Sequence, residues 1–277
     1  MIIFSAFGDE IGPDLDEQMK VLASENVKHI ELRGVWGKNV LDLSADEVAD
    51  VKQRMDDAGF GVSSIGSPIG KIRVDEDFDV HFDKFKHAVE LAKVFDTQYI
   101  RLFSYYPPEG GDITEHRAEV MRRMAAKVEY AEANDVVCCH ENEGRIYGEG
   151  PEACLELIEE FNSPHLRNIF DPANYVVADY HPFDDCWSML KDTTEYFHIK
   201  DTVMSTKDMV PAGEGDGQIP EVLADAVKNG FSNYCTLEPH LKAAGQFAGE
   251  TGPELFVTAI RALKKVCEDI GADYDAK

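Results

Sequence analysis

Four residues of this chain could together hold a metal ion: Glu141, Asp171, His198 and Glu238. The intervals between them are 30, 27 and 40 residues, each about the length of one strand-plus-helix unit. Groups spaced in this way end successive strands, and in a closed barrel such ends converge on one axis. Three carboxylates and one imidazole form a mostly hard donor set. That set suits Mn²⁺ first, then Mg²⁺ or Co²⁺, and it accommodates Zn²⁺. Four protein ligands leave one or two positions of a six-coordinate ion open to substrate oxygens. Charge gathered at one rim is costly unless it binds something, so an enzyme with one divalent metal is expected.

Other polar groups fall at neighbouring strand ends. Arg101 and Lys71 could receive a phosphate or carboxylate of the substrate, or form rim salt bridges. Glu31 either lines the site or anchors Arg33. Lys200 follows His198 by two and so shares its side of the strand. It is expected to pair with Glu143 or Asp201, or to meet a substrate oxygen. His240, two residues beyond Glu238, is a candidate substrate contact. His140 should point away from Glu141 by strand alternation and is read as structural. Gly213-Glu214-Gly215-Asp216-Gly217 lacks a phosphate-cradle pattern and reads as a mobile or shaping loop over the site.

The elements that must position these groups recur eight times. Apolar runs at Ile2–Phe7, His29–Arg33, Gly61–Ile65, Gln98–Phe103, Val136–His140, Arg167–Phe170, Tyr196–Ile199 and Asn233–Leu237 read as strands buried on both faces. Between them lie amphipathic helices of period 3.6. Leu15, Met19 and Leu22 share a face of the first, with Pro13 in its first turn. Ser44 and Glu47 form a capping-box pattern for the second, which stops near Gly59. Phe82, Phe85 and Val89 mark the third, and Met121, Met124 and Val128 the fourth. Helices five and seven start near Pro151 and Pro220, the sixth spans Asp184–Leu190, and the last spans Pro253–Asp269. The fold class is therefore α/β, a (β/α)₈ TIM barrel forming one domain over residues 1–277. An open doubly wound sheet is disfavoured, because no G-x-G-x-x-G follows the first strand.

The chain is long enough for one such barrel of about 250 residues. Its net charge of −26 would repel a phosphate backbone, so nucleic acid is not an expected partner. Six cysteines without a C-x-x-C pair read as reduced thiols. No basic n-region opens the chain and no run is long enough to span a membrane, so a cytoplasmic location without membrane contact is expected.

The motifs Glu141-Asn142-Glu143, Phe170-Asp171-Pro172-Ala173-Asn174, His198-Ile199-Lys200-Asp201, Gly213-Glu214-Gly215-Asp216-Gly217 and Leu237-Glu238-Pro239-His240 occur in a telling order. Over its whole length the chain resembles the xylose isomerase-like TIM-barrel superfamily of sugar phosphate isomerases and epimerases. The resemblance implies one metal on Glu141, Asp171, His198 and Glu238. It also implies that Glu141 and Glu238 exchange protons with a small carbohydrate on opposite faces, through a metal-stabilised enediolate. A homodimer or homotetramer is the matching assembly. Trp36 would then be an apolar wall over the sugar ring or an oligomer contact. Related ketohexose 3-epimerases place a substrate-contacting His three residues after the metal Asp. Here that position is Asn174, which cannot titrate near neutral pH and points to a different substrate.

Other reactions fit the same barrel. A lyase or dehydratase acting on a keto-sugar, keto-cyclitol or glycoside would share the proton abstraction and differ in losing a leaving group. An endonuclease IV-like repair nuclease needs several zinc ions and more histidines. Ser205–Ala212 offers none, and the chain's acidity opposes DNA. A non-catalytic sugar-binding barrel would show no metal-dependent turnover.

Overall fold

Alternation along each strand decides what the barrel encloses. In Val137–Glu141, Cys138 joins the apolar layer under the helices, whereas Cys139 faces inward with Tyr99, Ile169 and Tyr196. Two residues on, Glu141 must face inward as well. The same rule turns Arg101, His198 and Glu238 into the barrel and leaves Ile100, Leu102, Phe197, Ile199 and Leu237 to the helices.

The computed structural model describes residues 1–243 and 249–277. Its barrel strands are β1 (Ile3–Ala6), β2 (His29–Leu32), β3 (Gly61–Ile65), β4 (Tyr99–Leu102), β5 (Val137–Glu141), β6 (Leu166–Phe170), β7 (Thr194–Ile199) and β8 (Tyr234–Leu237). Each pairs in parallel with the next, and β8 closes on β1 through Ile3–Tyr234 to Ala6–Leu237. The single domain is a (β/α)₈ barrel, as the repeating pattern predicts, and the closure excludes an open sheet. Short antiparallel ribbons, Gly34–Val35 with Lys38–Asn39 and Asp201–Thr202 with Met209–Val210, decorate the rim that carries the strand C-termini.

The helices are α1 (Leu15–Ser24), α2 (Ala45–Ala58), α3 (Phe78–Val94), α4 (Arg117–Asn134), α5 (Pro151–Phe161), α6 (Pro172–Val177), α7 (Ser188–Leu190), α8 (Ile219–Lys228) and α9 (Pro253–Asp269). The expected capping box is present: Ser44 Oγ accepts from Glu47 N–H, and the Glu47 carboxylate accepts from Ser44 N–H. Gly59 ends α2 in the left-handed region at φ 69°.

Two helix expectations change. Pro13 lies outside the first turn, because Asp14 is the N-cap and its carboxylate accepts from Glu17 N–H. The sixth helix is not a regular one over Asp184–Leu190. It starts as a π-helical turn at Pro182–Trp187 and becomes α-helical only in α7. The wider turn seats Trp187 against Phe170 and Phe197, at ring distances of 5.3 and 5.6 Å, while Trp187 Nε1 donates to Asp225. Helix α6 was not anticipated, although Asp171-Pro172 is an N-cap followed by a first-position proline.

All six cysteines are free and buried. Among the described residues no helix is long and apolar enough to cross a membrane.

Gly70 fixes the loop after β3. It has φ 97°, its N–H donates to His81 Nε2, and a Cβ there would collide with the Phe103 carbonyl. Gly70→Ala combines left-handed strain with that collision and should cost at least about 2 kcal/mol. Urea unfolding checks this; an unchanged midpoint would refute the role given to Gly70.

Candidate metal centre

The metal-capable groups converge at the C-terminal end of the barrel. Ligand atoms of Glu141, Asp171, His198 and Glu238 all lie within 4.8 Å of one another. Their residues are at most 3% exposed. Glu141 ends β5, Asp171 immediately follows β6, His198 is the penultimate residue of β7 and Glu238 immediately follows β8.

Glu31 contributes a role that sequence reasoning missed. His198 Nδ1 faces the cage, 3.1 Å from Glu141 and 3.7 Å from Glu238. Its Nε2 is 3.2 Å from Glu31 Oε2. If Nε2 carries the proton toward Glu31, the Nδ1 lone pair points into the cage. The other Glu31 oxygen accepts from Tyr196 O–H at 3.1 Å. Glu31 therefore orients the histidine rather than anchoring Arg33. The inward parity of β2 and β7 could have signalled this contact.

The donor set fits a divalent cation. His198 Nδ1 is buried without a well-formed hydrogen bond and faces two carboxylates, and Asp171 Oδ2 is buried with the Lys200 ammonium 2.8 Å away. Burial alone would depress the His198 imidazole, yet Glu141 and Glu31 raise its pKa to about 10. Carboxylates packed this tightly demand positive charge at the imidazole, and a divalent ion can supply it. Asp171 is pushed up to about 6 by burial, opposed by Lys200 and reinforced by Glu141 and Glu238.

Permanent cations ring the cage. Arg33 reaches Glu238 at 2.6 Å, Asp9 at 2.8 Å and Glu10 at 3.5 Å. Arg101 reaches Glu141 at 3.1 Å and Glu238 at 3.7 Å. Phe7 lies under both guanidiniums, with its centroid 4.2 Å from Arg33 Cζ and 4.8 Å from Arg101 Cζ. Arg33, Asp9 and Glu10 stand at the strand ends in the sequence but carry no signal of which partner each takes.

Several expected substrate contacts are engaged by the protein itself. Arg101 also donates to the carbonyls of Gly66 and Ser67, so its fork is committed rather than open to an anion. Lys71 pairs with Glu143 at 2.8 Å, and its Nζ is 4.3 Å from the Phe103 ring centroid. Lys200 pairs with neither Glu143 nor Asp201. It bridges Asp171 at 2.8 Å and Glu238 at 3.2 Å, because alternation turns it to the cage side. The Asn174 amide donates to the Asn142 carbonyl at 2.8 Å and to Glu141 at 3.4 Å. His240 Nε2 is 3.2 Å from Glu10 and 3.5 Å from Glu238. His140 turns away from the cage and is 2.9 Å from Ser104 Oγ. Trp36 is half-buried against the core, with Arg54 Cζ 6.0 Å from its ring centroid.

Asp201 explains the glycine-rich loop. Its carboxylate accepts N–H groups from Thr202, Gly213, Gly215 and Gly217. A Cβ at Gly215 or Gly217 would strike that carboxylate. The loop is thus wrapped around an anion of its own chain, beside Lys200.

A family model described as "Xylose isomerase-like TIM barrel" matches residues 19–266. No curated protein matches the chain. Among solved structures, it is similar to the probable 3-DHS dehydratase AsbF involved in petrobactin synthesis from Bacillus anthracis. That match has TM-score 0.76 and 17% identity, covering 95% of this chain and 99% of the other. A D-psicose 3-epimerase solved in the presence of D-fructose gives TM-score 0.74 at 16% identity, covering 98% and 100%. A xylose isomerase-like TIM-barrel protein from Mycobacterium smegmatis in complex with magnesium gives 0.73 at 15%, covering 98% and 97%.

Manganese or magnesium at a hundredfold excess over Kd should stabilise the fold by about 2.7 kcal/mol. Asp171→Asn should abolish that gain. Glu31→Gln should weaken metal affinity about 10- to 100-fold by loosening His198. Calorimetric titration and thermal melts test both; equal metal affinity in Glu31→Gln would reject the orienting role.

Proposed function

We propose that this chain, which belongs to the xylose isomerase-like TIM-barrel family, is a divalent-metal-dependent isomerase or epimerase of a small carbohydrate, with Mn²⁺ as its first cofactor candidate. The observation that carries this reading is the buried Glu141–Asp171–His198–Glu238 cage with Glu31 behind the histidine. When bound, the divalent ion would act as a Lewis acid toward a carbonyl and its neighbouring hydroxyl, making the adjacent C–H more acidic.

The protein's own groups supply the rest. Glu141 and Glu238 come from β5 and from the end of β8, and His198 and Arg101 lie between them. Despite burial, both carboxyls are held below the usual carboxylate range, Glu141 chiefly by His198 and Arg101, Glu238 chiefly by Lys200 and His240. Both are therefore ionised at neutral pH. One can take a substrate proton, and the surrounding cations then favour its return. Return by the same carboxyl to the neighbouring carbon gives isomerisation; epimerisation needs the other carboxyl to take up a solvent proton and deliver it to the same carbon from the opposite face, while the first releases its proton to solvent.

One observation favours a lyase or dehydratase as the second reading. Burial lowers the His240 pKa, but hydrogen bonding with Glu10 and Glu238 raises it to about 9. The imidazole then carries a proton at neutral pH beside Glu238, and a departing hydroxyl or alkoxide would need one. Product mass separates the readings: no change for isomerisation, loss of water or an aglycone for elimination.

Solvent-deuterium incorporation, followed by NMR over a panel of ketoses, sugar phosphates and keto-cyclitols, should reveal one labile C–H. On that substrate Glu141→Gln and Glu238→Gln should each lower turnover at least about 100-fold. Near wild-type turnover in either purified variant defeats the proton-exchange mechanism.

A further inference from the structure

A cavity of about 510 Å³ opens beside the metal centre, between the loops after β2 and β3 and the first turns of α3. Arg101 lines it and also pairs with Glu141 of the cage. Lys71 lines it too, and its Nζ reaches Glu143, two residues beyond Glu141. The cavity thus adjoins the site, with Arg101 as their common wall. Its size is that of a small-molecule compartment.

Its walls are wrong for a polyol. Leu41, Pro68, Ile69, Ile72 and Val80 present apolar surface, and Val80 is 61% exposed at the edge. The polar groups are largely engaged elsewhere. Arg101 is held by Glu141 and two carbonyls, Lys71 by Glu143, Asp83 by Lys86, and His81 Nε2 by Gly70 N–H. Lys84 and Asp42 are exposed and of opposite sign, so they leave no net charge. Asn39, Asp42, Lys84 and His87 also line the cavity, but against the apolar wall of Leu41, Pro68, Ile69, Ile72 and Val80 a hydroxyl would lose water without a partner, whereas an apolar ring would gain by burial.

We propose that this cavity receives an apolar substituent of the substrate, so the substrate is a sugar joined to an aromatic or alicyclic group rather than a free monosaccharide. The inference rests on the metal-centre reading for where the sugar sits. The cavity itself is independent of that reading.

The probes are 2-naphthyl β-D-glucopyranoside and methyl β-D-glucopyranoside, tested on the full chain with Mg²⁺ by saturation-transfer NMR. The naphthyl glycoside should bind at least tenfold more tightly, since burying about 60 Å² of aryl surface accounts for that factor. Its naphthyl protons should receive the strongest saturation. Ile72→Asp should remove the advantage, and so should Val80→Asp, whose site is exposed enough to leave the fold intact.

Replacing Mg²⁺ by Mn²⁺ should broaden the sugar protons more than the naphthyl protons, and Asp171→Asn should abolish the broadening. Equal affinity for the two glycosides, or an advantage that survives both cavity substitutions, overturns the proposal. Loss of Mn²⁺ broadening with the naphthyl preference retained would refute the metal-centre reading and the cavity's place in its substrate site, leaving only an apolar binding cavity.

Discussion

Negative charge concentrated at one end of the barrel is the constraint that the rest of this structure answers. Glu141, Asp171, Glu238, Glu31 and Glu10 are all buried, and Asp9 borders them. Isolated carboxylates in such a place would take up protons or unfold the rim. Arg33, Arg101 and Lys200 offset part of the charge, each touching at least one cage ligand. Those three cations face six carboxylates, leaving three negative charges; a divalent ion would balance two of them and the protonated His240 beside Glu10 and Glu238 the third. The same imbalance accounts for the raised His198 and for Asp171 near 6. Removing a single partner would leave a buried charge uncompensated, so the cage and its ring of cations form one interdependent unit.

That unit rests on a column of side chains inside the barrel. Tyr99 and Tyr196 fill the lower layer with Cys139 and Ile169. Tyr196 O–H reaches up to Glu31, Glu31 holds His198, and His198 faces Glu141 and Glu238. Every contact in this series crosses between strands, from β7 to β2, back to β7 and on to β5 and the end of β8, so strand register sets the geometry. A slip of one residue in β7 would send His198 into the helix layer and Phe197 into the cage. The apolar layer between strands and helices enforces the register, because Phe170, Phe197 and Trp187 pack as one aromatic group.

The sequence carried the cage because its signal is one of period and spacing. Donor types recurring at the ends of successive apolar runs are visible without coordinates, and so is inward parity. Partner choice was not visible. Lys200 could be placed on the side of His198, but that parity does not say whether Glu143 or Asp171 lies within its reach. Glu31 and His198 are 167 residues apart, and their contact depends on two strands meeting across the barrel. The glycine-rich loop reads from the sequence as a mobile or shaping loop over the site, but nothing there tells that its glycines bring N–H groups onto Asp201. The π-helical turn at Pro182–Trp187 escaped because tertiary packing of Trp187, not local periodicity, selects it.

A division of labour follows from where each group originates. The four cage residues sit at or immediately beyond strand ends, the most rigid positions of the barrel. Glu31 and Arg101, which touch them, lie on β2 and β4, whereas the surrounding charged groups and the neighbouring cavity come largely from loops: Asp9 and Glu10 after β1, Lys71 after β3, Glu143 after β5, Asp201 and its glycines after β7. Relatives at 15–17% identity keep the same barrel while carrying names as different as dehydratase and epimerase. In this chain the loops bring an apolar wall of Pro68, Ile69 and Ile72 next to the cage. On the proposed reading, the metal cage would set which bond can be made acidic, and the loops after β2 and β3 would set what that bond is attached to.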